Sequence, residues 1–445
     1  MKRYSKFVLL VGFVGVGTTI FMVAGHSSPE VRYVPLELRK QPARRHHPIP
    51  GRLPQPRPAT QFGDPLPGLT PAQLVAFATG LDEFQNVEDV AGGLGPTFNN
   101  VSCGSCHSSG ALGGGSNITV TRFGKVTNGV YDALELRGGS LLQDHAIDPG
   151  VQEIVPPEAN VVAHRQSTPL FGLGLIEAIP DEAIQRNAAE QLGGGPRDGL
   201  PLPGSPIRPP YPPAGAAIRG RVSVITDVTT GKSRVGRFGW KGQQATLLAF
   251  AGDAYLNEMG ITNRFFPKEN APNGDATKLA AYDSVADIED AVDVSTGTSD
   301  IDVAADFMRY LAPPPQLAPN PSSRAGSEVF QNIECASCHK PLMMTGSSPV
   351  EALNRKPVAL YSDLLLHDMG SLGDGIAQAA AGPTEFRTPP LWGLRVSGPY
   401  LHDGRAATID EAIRAHDGQA KRARDFYLQL SPGEKRQLLD FLGSI

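Results

Sequence analysis

The thiols of this chain are four, and all stand in two short words, Cys103-Gly-Ser-Cys106-His107 and Cys335-Ala-Ser-Cys338-His339. Two thiols three residues apart on a helical turn can add to two vinyl groups along one edge of a porphyrin. The histidine that follows then turns its imidazole toward the iron. The same residue types could instead hold zinc, because two cysteine pairs and nearby histidines can make a tetrahedral site. Here the pairs are far apart and each runs directly into His, which favours haem over zinc and over inert buried cysteine. No cysteine is left for a disulfide. The expected cofactors are two covalently bound haem c groups, with His107 and His339 as proximal iron ligands.

What each iron does depends on its opposite face. A second protein ligand makes an electron-transfer centre, whereas an open position lets peroxide or oxygen bind. For the second haem the candidates are His367, Met369, His402 and His416. His402 sits in a polar turn, Tyr400-Leu-His-Asp403-Gly404-Arg405, and reads as a cofactor-supporting residue. His416 ends a helix expected from Thr408 to Ala415, far enough from His339 for the chain to wrap the haem and return, so it is the expected distal ligand. Around the first haem the polar set is Gln143, Asp144, His145, Glu153, Glu158, His164, Arg165 and Glu177. Cleaving a peroxide O–O bond needs a base that moves a proton and a cationic or hydrogen-bonding group that holds charge. His164 and Arg165 could supply both, or His164 could close the iron. With Glu177 they are the candidate catalytic residues, although no carboxylate of the set stands out.

The elements that must position these residues are mostly helical. Gly326-Ser-Glu-Val329-Phe330 leads into the second haem word as an opening helix, and Ser431-Pro432-Gly-Glu434 starts a closing helix with a cap, an N1 proline and an acidic first turn. A matching closing helix carries Val303, Phe307, Met308 and Leu311 and stops at Pro313-Pro314-Pro315. Thr168-Pro169-Leu170 and Thr388-Pro389-Pro390 follow the two haem words, each with an acidic helix start behind it at Asp181 and Asp410. The pattern predicts a mostly α fold of two cytochrome c-like haem domains related by duplication, over 69–315 and 316–445. The first carries a large insertion at about 185–300, and the loops are long and irregular. Within that insertion, Arg237 to Trp240 reads as a turn into a helix over Ala245–Tyr255. Trp240 is either a packed core indole, the expectation, or an aromatic between the haems.

Lys2, Arg3 and Lys6 precede an apolar run from Phe7 to Gly25, which reads as an export signal or a retained inner-membrane anchor over 1–25. Either places the protein in the periplasm, where thioether attachment takes place in bacteria. Residues 26–68, rich in Pro and Arg and including His46 and His47, read as a linker or extended arm. A chain of 445 residues with 50 Gly, 40 Pro and a net charge of -5 has room for two or three domains. It has no basic stripe with interleaved aromatics, so no nucleic-acid partner is expected.

Several words extend these motifs: Asn99-Asn-Val-Ser-Cys103, Ser140-Leu-Leu-Gln-Asp144, Thr168-Pro-Leu-Phe-Gly-Leu-Gly174, Arg237-Phe-Gly-Trp-Lys241, Met259-Gly-Ile-Thr262, Tyr361 to Gly370, Arg387-Thr-Pro-Pro-Leu-Trp-Gly393 and Tyr400-Leu-His-Asp-Gly-Arg405. Together they resemble the di-haem oxidoreductase family, also described as peroxidases or thiol oxidoreductases, over nearly everything from 70 to 445. More distantly the chain is similar to bacterial di-haem cytochrome c peroxidases and MauG-like proteins. The resemblance implies a peroxidatic haem in the N-terminal domain, electrons entering at the C-terminal haem, hydrogen peroxide as oxidant and a periplasmic electron-donor protein. In the peroxidases a His-x-Gly turn precedes a distal methionine. Here His402-Asp-Gly404 matches the turn and His416 falls where the methionine would be, which implies a bis-histidine second haem of low potential and puts transfer of the peroxidases' donor in doubt. The resemblance also implies calcium between the domains, for which Asn273, Asp275 and Asp283 are only loosely spaced candidates. Relatives that cleave polyisoprene with oxygen keep other classes open: an electron carrier or redox sensor without turnover, or an oxygen-dependent oxidase of an organic or thiol substrate.

Overall fold

A computed structural model describes residues 61–192 and 218–445. The signal or anchor over 1–25, the arm up to residue 60 with His46 and His47, and the proline-rich stretch 201–213 of the expected insertion lie outside the described residues. Among the described residues no helix is long and apolar enough to cross a membrane.

The first half opens with helix α1 (Pro71–Phe84), started by a Thr70/Gln73 capping box and a first-turn proline. The single turn α2 (Cys103–Cys106) carries the first thiol pair and is capped by the Ser102 side chain. Then come α3 (Leu173–Glu177), α4 (Asp181–Leu192), α5 (Leu247–Met259), α6 (Ala276–Tyr282) and α7 (Asp300–Tyr310). Thr246 caps the start of α5 and Gly260, at φ 69°, ends it in the left-handed region that glycine tolerates. The second half holds α8 (Pro321–Asn332), α9 (Ile409–Ala415), α10 (Lys421–Gln429) and α11 (Pro432–Leu442). As the sequence predicts, Ser431, Pro432 and Glu434 form the capped start of α11, and α7 stops at Tyr310 ahead of the prolines.

Each half contains an opening and a closing helix that cross at a glycine. α1 packs on α7, and α8 on α11. A Cβ at Gly80 would meet the Val303 carbonyl and stand 2.8 Å from Phe307 Cβ, while one at Gly326 would run into the Gln437 carbonyl and stand 2.8 Å from Phe441 Cβ. Backbone on one side leaves neither crossing room to yield. Gly326→Ala is therefore expected to destabilise the protein by about 3 kcal/mol, the upper end of overpacking costs, read as a lower urea midpoint in chemical denaturation.

The expectation of a mostly α protein needs correction, because short strands run through the structure: about 37% of the described residues are helical and 16% are strand. β1 (Thr97–Phe98) pairs with β4 (His145–Ala146), and β2 (Thr119–Thr127) lies between β3 (Val130–Asp132) and β5 (Val161–Gln166). β6 (Ser223–Asp227) and β7 (Lys232–Gly236) form a hairpin, and β8 (Met343–Met344) with β9 (Pro357–Val358) and β10 (Leu366–Asp368) with β11 (Glu385–Arg387) make two more antiparallel pairs. Runs of β-branched residues in Thr119-Val-Thr and Ser223-Val-Ile-Thr favour strands β2 and β6.

The first apolar core gathers Phe77, Phe84, Leu170, Ile176, Leu247, Tyr255, Ile301, Phe307 and Leu311, and also takes in Leu353, Leu360, Leu365 and Trp392, beyond the expected boundary at 315. The second joins Val329 and Phe330 to Phe426, Tyr427, Leu438, Phe441 and Leu442. Although α5 lies inside 185–300, it is not an excursion from the first core. Leu247, Ala251, Tyr255 and Met259 are buried in it, and α5 packs on α7 and α3.

Candidate functional site

The second histidine word ends in a short 3-10 turn after α8, and across a gap from it stands the residue that caps the C-terminus of α9. The rings of His339 and His416 lie 6.4 Å apart between centroids. An imidazole nitrogen bonds a metal at about 2.0–2.1 Å, and adding the ring radius on each side gives roughly 6.3 Å between centroids for two imidazoles on opposite faces of one ion. The tautomers also fit. His339 Nδ1 bonds the Tyr361 carbonyl at 3.0 Å and His416 Nδ1 the Ala412 carbonyl at 2.8 Å, so each ring is left with Nε2 for the gap. Burial lowers both pKa values, His339 to about 4 with a further push from His416, so both rings are neutral and able to ligate.

Around this pair lies a cavity of about 260 Å3, close to the lower end of the usual ~300–1,000 Å3 for small-molecule sites. Its walls are largely apolar, with Phe330, Leu391, Trp392, Ile409 and Ile413 beside the thiols of Cys335 and Cys338. All four cysteines are free, and burial pushes the Cys335 thiol up to about 12. A flat apolar group with two points of thiol attachment and an iron between two imidazoles fits these residues.

His402 also lines the cavity, stacked on Phe386 at 4.4 Å and edge-on to Trp240. Burial lowers it to about 4 despite Asp403 and Asp374, so it stands neutral in the wall. Trp240 lies in that wall rather than in a core. Its indole N–H donates to Gln166 O at 2.7 Å, and the Gln166 N–H donates to His402 O at 2.7 Å, which couples the two halves. His367 also lines the cavity, 3.8 Å from Cys338 Sγ, but one ring nitrogen meets Asp363 at 2.9 Å and the other Gln419 at 2.9 Å, leaving none for an iron. Met369 contributes to the cavity wall.

The first word is arranged differently. His107 Nδ1 bonds Gly114 O at 3.2 Å, and the aromatic ring beside it is Phe84, at 6.1 Å. Among the described residues no histidine ring faces it. Cys103, His107, Arg122, Asp253 and Glu258 are half-buried in this region. Glu258 reaches the Cys106 edge through Asn99, whose Nδ2 donates to Glu258 Oε2 at 2.8 Å, and Asn100, whose Nδ2 stands 3.5 Å from Cys106 Sγ. Burial raises the Glu258 and Asp253 carboxyls, with Arg122 opposing it. Sequence reasoning missed these three residues. Glu258 and Asp253 fall in the stretch read as an insertion, though Glu258 immediately precedes the Met259-Gly-Ile-Thr262 word.

The expected catalytic trio is not brought together. His164 and Arg165 are neighbours on β5, and successive strand residues point to opposite faces. His164 is exposed, 3.4 Å from Thr121 Oγ1, whereas Arg165 is buried. Both oxygens of Glu177 are occupied, one by the Leu247 N–H at 2.7 Å and the other by Arg309 at 3.1 Å, so it clasps α5 and α7. His145 and Asp144 are exposed. Gln143 and Glu153 are buried against each other, the Gln143 N–H donating to Glu153 at 2.8 Å, and Glu158 pairs with Arg137. Of the loosely spaced calcium candidates, Asn273 is taken up by the Ile154 backbone and Asp275 by capping α6, while Asp283 accepts from the Val285 N–H at 3.3 Å.

Arg165 instead joins an ion cluster behind the cavity. Its Nε lies 2.7 Å from Asp374 Oδ2, and Lys241 Nζ 3.2 Å from Oδ1, all three side chains being at most 5% exposed. Burial would raise the Asp374 carboxyl, but Arg165 and Lys241 outweigh it and hold the pKa below the ordinary range. A depressed folded-state pKa stabilises above the unfolded carboxylate range, and that contribution is lost as pH falls through the folded value. Asp374→Asn is thus expected to cost about 3–5 kcal/mol at neutral pH, as for other broken buried pairs. The deficit should shrink in acid, and urea denaturation at neutral and acid pH measures both.

Comparison with known proteins agrees with this geometry. The family model described as "Di-haem oxidoreductase, putative peroxidase" matches residues 223–445, half of the chain. Among curated proteins the chain is similar to cytochrome c peroxidase Ccp of Escherichia coli, 22% identical over 190 residues (39% of this chain, 38% of the relative). It is also similar to the methylamine utilization protein MauG of Methylophilus methylotrophus, 26% identical over 156 residues (32% and 41%). The chain thus spans about two fifths of the length of these relatives. Among solved structures, a MauG-like protein associated with microbial copper homeostasis aligns over 51% of this chain and 79% of its own at 18% identity and a TM-score of 0.29. The diheme peroxidase BthA of Burkholderia thailandensis aligns over 69% and 90% at 12% identity and 0.28. Such loose superpositions carry no weight, and the assignment rests on the family match. The chain belongs to the di-haem oxidoreductase family of peroxidase-like enzymes.

Proposed function

We propose that this chain is a periplasmic di-haem c-type peroxidase that reduces hydrogen peroxide at the His107 site with electrons that enter at the His339 site. The observation that carries this reading is the asymmetry of the two sites. One has imidazoles on both sides of its gap, His339 and His416 at 6.4 Å, and the other has His107 with Phe84 as its ring neighbour and, among the described residues, no second histidine facing it. A site closed by protein on both faces passes electrons, and one left open binds a small oxidant. Haem iron, when bound, supplies the point where peroxide attaches and the couple that takes up electrons.

The protein's own groups do the rest. The Glu258 carboxylate would take a proton from one oxygen of the peroxide and return it to the other, which would leave as water. Arg122 holds the negative charge that develops meanwhile. Two electrons and two protons convert one peroxide into two water molecules. Trp240, Gln166 and His402 bridge the halves between the sites, which supports electron passage from the second to the first. The basic N-terminus and the apolar run Phe7–Gly25 support export.

Cyanide and peroxide titrations of the half-reduced protein test the division of labour. One of the two centres should bind each ligand, and His107→Ala should abolish peroxide consumption. Two inert centres would make the protein an electron carrier. Peroxide turnover that survives His107→Ala but is lost when His339 is replaced would reverse the two roles.

A further inference from the structure

Arg387 stands in the cavity wall with a charge that no carboxylate balances. It ends β11, is 4% exposed and lines the cavity together with His339 and His416. Its Nε donates to Gly239 O at 2.9 Å and its Nη1 to Thr388 O at 3.0 Å, while its backbone N–H donates to Trp240 O at 2.8 Å. Among the described residues Nη2 has no hydrogen-bond partner and no carboxylate is within ion-pairing range. The other cations of the region are matched: Arg165 and Lys241 by Asp374, Arg237 by Asp181, and Arg424 by Asp417 and Asp425. Burial lowers the guanidinium only to about 10, with Asp363 opposing it from a distance, so it is charged at neutral pH. Buried charges are otherwise paired, and a planar guanidinium pinned at two nitrogens is suited to a carboxylate.

We propose that Arg387 supplies the binding site for a carboxylate of the cavity's occupant, namely a propionate of the haem held by Cys335, Cys338, His339 and His416. The inference rests on the haem reading and adds the residue that recognises the cofactor's acidic side chain, which thiols and imidazoles do not. It also makes the two sites unequal. Aligned on the Thr-Pro words, the residue before Thr388 is Arg387, and the residue before Thr168 is Ser167, which carries no charge. A fixed buried cation that offsets a propionate favours the ferrous state, so Arg387 raises the potential of the second centre above that of an otherwise equal bis-imidazole haem.

The test uses holoprotein from a cytochrome-assembly-competent host: the natural chain, Arg387→Leu and Arg387→Lys. Optical redox titration reads each centre's potential, and resonance Raman spectra read the propionate bending band. In Arg387→Leu the second centre should shift to lower potential and its propionate band should move, with two covalent haems retained and the first centre unchanged. Arg387→Lys should recover part of the potential but not the band. An unaltered potential and band at the second centre in Arg387→Leu, or equal shifts at both centres, would overturn the assignment. Should the Leu variant fail to accumulate, the Lys variant decides alone, and an unmoved band overturns it. Absence of covalent pigment from the natural chain would instead defeat the haem reading itself, a different result.

Discussion

A His416→Ala variant is expected to convert the second centre from low-spin to high-spin while both porphyrins stay attached. The argument is geometric. Attachment depends on Cys335 and Cys338, which the substitution leaves in place, and one iron bond depends on His339, whose Nδ1 remains fixed by Tyr361 O. Only the opposite bond is removed. His416 is set for that bond by its position at the end of α9, by its Nδ1 contact with Ala412 O at 2.8 Å, and by Arg424, which donates to its carbonyl at 2.9 Å. Among the described residues of the cavity no other imidazole is free to substitute, since both ring nitrogens of His367 are occupied and His402 stacks on Phe386. His416→Met should keep the centre six-coordinate and raise its potential, because a thioether favours the ferrous state more than imidazole does. Magnetic resonance and absorption spectra check both variants. A second centre that stays low-spin in His416→Ala would remove His416 from the ligand set.

Glu258→Gln is expected to lower peroxide turnover by about 10²–10⁴-fold, the usual worth of a positioned acid–base group. The amide keeps the size of the side chain and its contact with Asn99, so packing should be little disturbed. It cannot carry a proton between the two peroxide oxygens. Because burial raises the Glu258 carboxyl above the ordinary range, the acid limb of the pH–rate profile in the natural protein should lie above that range too, the ionised form being the one that accepts the proton. Turnover in Glu258→Gln close to that of the natural chain, or an acid limb that does not move, would place the proton transfer elsewhere. A His164→Ala variant provides the contrast. His164 is exposed and on the opposite face of β5 from Arg165, so little effect on turnover is expected.

What could be read from the sequence is what depends on local spacing. Both attachment words, the capped start of α11, the stop of α7 before its prolines and the placement of His416 one residue past α9 follow from patterns within a few residues. What could not be read depends on contacts between distant segments. Glu258 reaches the first thiol pair only because Asn99 and Asn100 hydrogen-bond to the end of α5. His164 and Arg165 look like a pair until β5 puts them on opposite faces, and that strand exists because β2, some forty residues earlier, supplies its partner edge. The unmatched charge of Arg387 is invisible until its neighbours' partners are all assigned. The hairpin β6–β7 is marked locally by the β-branched run Val224-Ile225-Thr226 and the turn Thr229-Thr230-Gly231.

Protein matured with its cytochrome-assembly machinery, denatured in acid and extracted with organic solvent tests the foundation of these assignments most directly. Two porphyrins per chain should remain bound to the polypeptide, with one lost when Cys103 and Cys106 are replaced and one when Cys335 and Cys338 are replaced. Pigment that leaves with the solvent, or zinc recovered in place of iron, would contradict the account.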